Sequence, residues 1–156
     1  MSKPEFVYVT YIVSTPEKVW NALTNGEITR QYWWRRRNAS DWIVGSKWEH
    51  QDYNDPKTVD ITGKVLESKP PERLVISWAD PKDLGNSKKT SRVTFQIEPA
   101  PGAVRLTVTH DELEPDSNML RGISRGWPAV LSSLKSLLET GKPLPGSSER
   151  AMDLPK

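Results

Sequence analysis

Two histidines, seven tryptophans and no cysteine bound the chemistry open to this chain of 156 residues. Without cysteine there is no disulfide scaffold, thiolate zinc site or thiol nucleophile, an absence that fits a reducing compartment. His50 and His110 stand apart, with no partner at metal-ligand spacing. The run His110-Asp111-Glu112 alternates faces on a strand, so its carboxylates cannot all reach one ion. No Gly-x-Ser-x-Gly elbow, phosphate-cradling glycine loop or dinucleotide fingerprint occurs. We therefore expect no metal and no cofactor. An enzyme made from these residues would work by binding and general acid–base chemistry alone.

His110 shares the phase of Val104, Leu106 and Val108, which turns its ring to the dry face of a strand. There it would orient a polar group of a ligand, or act as an acid or base near neutral pH. The plainer reading is a strand-end histidine, hydrogen-bonded locally and half exposed. Trp33, Trp48, Trp78 and Trp127 have the character of a cavity wall, since ligand cavities are mostly apolar and aromatic. The same rings would fill a core short of aliphatics, each burying ~150–250 Å². Trp20 reads as packing. Trp34-Arg35-Arg36-Arg37, with Arg30 nearby, joins rings to cations as a phosphate or nucleic-acid contact does. A solvated loop is the plainer reading, and an anionic head group at a cavity mouth is a more natural use than DNA.

These residues need a frame to hold them. The length suits one domain. Lysine and arginine total 22 against 20 acidic residues, a net charge of +2, which argues against bulk nucleic-acid binding. No apolar run suggests a signal peptide or a membrane span. We expect a cytoplasmic protein.

Glu5 to Val13 reads as a strand with apolar residues on both faces. Ser14-Thr15-Pro16-Glu17 then starts a short helix carrying Val19, Trp20 and Leu23. A second short helix is predicted over Glu27 to Trp33. From Asp41 the apolar period becomes two, through Trp42–His50, Val59–Val65, Leu74–Trp78, Val93–Ile97 and Val104–His110. That alternation predicts an antiparallel sheet with one dry and one wet face. Leu120, Ile123, Trp127, Val130, Leu131, Leu134, Leu137 and Leu138 return to helical spacing, with Asp116 or Ser117 as the opening cap and Gly141 as the closing one. Pro128 inside that helix is expected to kink or interrupt it around Ser124, at a cost of ~3 kcal/mol. One long helix over the dry face of a curved sheet is a two-layer α+β arrangement. A straight helix cannot touch a curved sheet along its whole length, so a cavity is expected between them.

The run Ser14-Thr15-Pro16-Glu17-Lys18-Val19-Trp20-Asn21-Ala22-Leu23-Thr24 resembles the opening of the SRPBCC (START-like) superfamily. Trp33-Trp34, Gly63-Lys64-Val65-Leu66-Glu67, Pro70-Pro71-Glu72-Arg73-Leu74, Ile76-Ser77-Trp78, Ser91-Arg92-Val93-Thr94-Phe95, Leu106-Thr107-Val108-Thr109-His110 and Gly126-Trp127 follow in the family's order. Together they are similar to the branch named after the heat-shock protein 90 ATPase activator C-terminal domain, over residues 6 to 140. Pro128 departs from the pattern. The resemblance implies the helix-grip fold: about six curved antiparallel strands on a long C-terminal helix, with two short helices after the first strand.

Residues 1–141 are expected to form this domain and 142–156 a flexible tail. The expected function is non-catalytic binding of a small, largely hydrophobic ligand between helix and sheet. Its walls are assigned to Trp33, Trp48, Trp78, His110, Ile123 and Trp127. The family name raises a second reading, a co-chaperone-like interaction domain with a chaperone partner; no added N-terminal domain is expected, and activators usually carry one. A polyketide cyclase-like enzyme using His110 ranks third.

Overall fold

Strand β1 (Phe6–Ile12) leads into two short helices, α1 (Pro16–Thr24) and α2 (Gly26–Tyr32), in a computed structural model that describes residues 3–147. Six strands follow: β2 (Arg36–Ala39), β3 (Lys47–Asp52), β4 (Val59–Lys69), β5 (Arg73–Trp78), β6 (Ser91–Ala100) and β7 (Ala103–Asp111). The last helix is α3 (Asn118–Thr140). The strands form one antiparallel sheet in the order β1-β7-β6-β5-β4-β3-β2, so β1 and β2 are its edges. This is the helix-grip arrangement with seven strands. The additional one is β2, whose Arg36-Arg37-Asn38-Ala39 lacks the apolar alternation by which the others are read.

Local chemistry sets the helix ends. Thr15 caps α1 by accepting from the Lys18 N–H, and Pro16 occupies a first-turn position that needs no donor. Ser117 caps α3 by accepting from the Leu120 N–H, and Gly141 closes it in the left-handed conformation at φ 83°. The expected interruption at Pro128 does not occur: α3 continues through it over 23 residues.

The dry face is built as the alternation predicts. Ser91, Val93, Phe95 and Ile97 of β6 and Val104, Leu106, Val108 and His110 of β7 are buried. Ile123, Trp127, Val130, Leu131 and Leu134 of α3 join that core. On β1 the inward set is Phe6, Tyr8 and Ile12, while Val7, Val9, Tyr11 and Val13 face outward. The free edge of β1 is partly covered from α3. The Lys135 ammonium donates to the Tyr11 carbonyl, and the Glu139 carboxylate accepts from the Val13 N–H at 2.8 Å.

Residues 142–147, assigned from composition to a tail, turn back against α3. Ser147 is buried and its hydroxyl lies 2.7 Å from that of buried Ser133. The rest of that segment lies outside the described residues.

Candidate ligand cavity

Aromatic side chains from four elements converge under the first half of α3. Trp33 follows α2, Trp48 comes from β3, Trp78 ends β5 and Trp127 projects from α3. Ring centroids are 5.5 Å apart for Trp33–Trp127 and Trp78–Trp127, and 5.4 Å for Trp48–Trp78. Such tilted and edge-on pairs contribute ~0.5–1.5 kcal/mol each beyond the area they bury.

These rings leave a cavity of about 210 Å³. Trp33, Trp78, Trp127, Ile123 and Val130 give it apolar walls. Trp34, Arg36 and Asp60 line the sheet side, and Gly122 and Gly126 the helix side. Two glycines four residues apart leave that face of α3 bare, and a Cβ added at Gly122 would meet nothing within 4 Å. A second, more polar cleft of about 620 Å³ shares Trp78, Gly122 and Ile123 with the first. In the wall between them the Trp78 indole N–H donates to the Met119 sulfur at 3.3 Å.

His110 is fully buried, not half exposed, and its role follows from its partners. The Trp127 indole N–H donates to His110 Nδ1 at 3.0 Å, so Nδ1 carries no proton. His110 Nε2 therefore holds the hydrogen and donates to Ser91 Oγ at 2.8 Å. Ser91 in turn donates to the Trp78 carbonyl at 3.2 Å. Burial pushes the imidazole pKa down to about 3, partly opposed by Asp111. His50, also buried, pairs through Nδ1 with Asn38 Oδ1 at 2.7 Å; burial and then the Arg36 charge push its pKa to about 3. Both rings are neutral at pH 7 and poorly matched to acid–base work there. His110 is a rigid hydrogen-bond link between helix and sheet.

The basic run is also placed differently from a solvated loop. Trp34 and Arg35 are consecutive left-handed residues, at φ 48° and 58°, and the turn they make delivers Arg36 into β2. Such conformations cost ~1–3 kcal/mol each for bulky residues. The Arg36 Nε donates to Asp60, and its Nη1 lies 3.4 Å from Asp52. Arg37 donates to Gln51 and Arg35 to Asn54, while the Arg30 and Arg35 guanidiniums lie over the Tyr53 ring. The cations are held by β3, by the loop that follows it and by Asp60 of β4.

Of the residues expected at the site, Trp33, Trp78, Ile123 and Trp127 line the cavity. Trp48 and His110 stand behind it, Trp48 fully buried against Trp78 with its indole N–H donating to the Ser77 carbonyl at 2.7 Å. Asp60, Gly122, Gly126 and Val130 were not anticipated as lining, whereas Trp34 and Arg36 belong to the run weighed for a contact at a cavity mouth. Glycines at a four-residue spacing inside an amphipathic helix were the one sequence signal for the bare face.

With the geometry in place, comparison with known proteins identifies the family. The model described as Activator of Hsp90 ATPase homolog 1-like protein matches residues 14–139. The chain belongs to this family. Several solved structures share its architecture at low identity. The Aha1 dimer from Colwellia psychrerythraea is 22% identical with a TM-score of 0.72, over 89% of this chain and 98% of the other. An HSP90 activator from Plasmodium falciparum, PFC0360w, is 20% identical with a TM-score of 0.70, over 86% and 95%. CalU16 from Micromonospora echinospora is 20% identical with a TM-score of 0.70, over 89% and 78%. No curated protein matches. At these identities the neighbours show the fold alone. Among the described residues no helix is long and apolar enough to cross a membrane.

Proposed function

We propose that this member of the activator homologue-like family is a cytoplasmic, non-catalytic binding protein for a small, largely apolar ligand. The observation that carries this reading is the tryptophan-walled cavity between α3 and the sheet. Removing apolar surface from water would drive binding, at ~25 cal/mol per Å² before the costs of association. Trp33, Trp78, Ile123 and Trp127 make the contacts; Trp48 and His110 hold Trp78 and Trp127 in place.

Gly122 supplies the test. Replacing an interior helix glycine with leucine removes a penalty of roughly 0.5–1 kcal/mol, and open space surrounds the position. Gly122→Leu should therefore raise the melting temperature while weakening binding of isopentylbenzene at least tenfold. A variant of greater stability and unchanged affinity would remove the cavity as the binding site.

A second reading is favoured by the Hsp90-activator names of the family and two neighbours. It makes the protein a chaperone-interaction domain acting through its surface. Sedimentation with purified Hsp90 decides it: co-migration supports this reading, and independent sedimentation at micromolar concentrations removes it.

A further inference from the structure

The chemistry of the sheet side of the cavity narrows the ligand class. Trp34 lines the cavity and is 7% exposed, yet its indole N–H is buried with no acceptor among the described residues. Arg36, which lines the same cavity, has its Nη1 likewise buried without a hydrogen bond, its 3.4 Å approach to Asp52 falling outside hydrogen-bond geometry. A buried donor left unmet costs ~1–3 kcal/mol, so two on residues lining one cavity are an expensive arrangement for packing alone. Every other tryptophan donor named above has a partner: Trp48 has the Ser77 carbonyl, Trp78 the Met119 sulfur and Trp127 the His110 ring. Trp34 is also held in a left-handed conformation, a strain that persists where the surroundings impose it.

We propose that the ligand carries a neutral hydrogen-bond acceptor, a ketone-like or ether-like oxygen, which Trp34 Nε1 and Arg36 Nη1 receive while its apolar body lies against Trp33, Trp78 and Trp127. This rests on the cavity being the ligand site and adds the head group. A carboxylate is disfavoured because the Arg36 guanidinium already faces two, Asp60 on Nε and Asp52 near Nη1. A third anion would have to share Arg36 with these two carboxylates. The anionic head group considered from the basic run is thereby replaced by a neutral one.

Three probes matched in shape separate the possibilities: benzylacetone with a ketone, isopentylbenzene with a branched hydrocarbon in its place, and hydrocinnamate with a carboxylate. Each is titrated against wild type and Trp34→Phe, which keeps a ring and removes the donor. The expected result is that Trp34→Phe weakens benzylacetone about tenfold and isopentylbenzene less than about twofold. Hydrocinnamate should bind more weakly than benzylacetone. In the wild type the Trp34 indole N–H resonance should move with benzylacetone and stay with isopentylbenzene, a readout that survives if the variant does not fold. Equal losses for both neutral probes, or an unmoved indole resonance at saturation, overturn the head-group assignment and leave the cavity reading standing. Tighter binding of hydrocinnamate than of benzylacetone overturns it in favour of an anion. Failure of all three probes to bind removes the cavity reading and this one with it.

Discussion

At the scale of single residues, His110 shows how hydrogen-bond arithmetic decides a role that residue type leaves open. A histidine on a dry strand face suits a ligand contact or an acid–base group. Here one nitrogen accepts from Trp127 and the other donates to Ser91, so neither is left for a ligand. Ser91 is the sensitive member. Ser91→Ala changes shape little but leaves the His110 N–H and the Trp78 carbonyl without that partner in a buried site. We expect a loss of about 1–3 kcal/mol in urea unfolding. A loss under ~0.5 kcal/mol would show that the link contributes only at the level of an ordinary exposed contact.

At the scale of elements, β4 and β5 approach each other so closely at Gly63 that no side chain fits. A Cβ there would lie 2.0 Å from the Ser77 carbonyl oxygen, a clash with backbone that no rotamer relieves. Gly63→Ala should cost more than about 3 kcal/mol, or prevent folding, and thermal unfolding checks it. An unchanged melt would mean that the strands separate without cost. The same two strands form the part of the sheet that ends in Trp78, so this contact also positions a cavity wall. Strand β2 shows the limit of periodicity as a guide. Its arginines are polar in sequence, yet Arg36 is largely buried because Asp52 and Asp60 neutralise it from β3 and β4. Only the pairing partner makes the strand legible.

At the scale of the whole molecule, the two buried histidines make stability depend on pH. Both folded-state pKa values lie near 3, below the unfolded value of ~6.5. The unfolded chain therefore takes up protons that the folded chain refuses between those limits. Stability contributed by neutrality is full above about pH 6.5 and is lost as pH falls toward 3, by up to ~1.4 kcal/mol per pH unit for each histidine. Urea unfolding from pH 7 to pH 5 should show this decline before Asp41, Glu49 and Glu139 contribute. Those carboxyls are held below their ordinary range by hydrogen bonds, with a lysine beside each glutamate, and cost stability only as pH falls through the unfolded carboxylate range of ~4. A flat profile over that range would mean that the rings protonate without unfolding the core.

The sequence by itself determined the two-layer α+β arrangement, because period-two and helical apolar spacing, caps and turn residues are local properties, and its resemblance to the SRPBCC superfamily added the helix-grip form. It also placed four cavity residues, Trp33, Trp78, Ile123 and Trp127, because each lies in phase with a dry face or beside a helix end. Tertiary structure alone decided that Trp48 and His110 stand behind the wall and that Trp34, Arg36 and Asp60 belong to it. Depth within a curved layer, and the pairing that lets an arginine or a donor be buried, depend on strands distant in the chain.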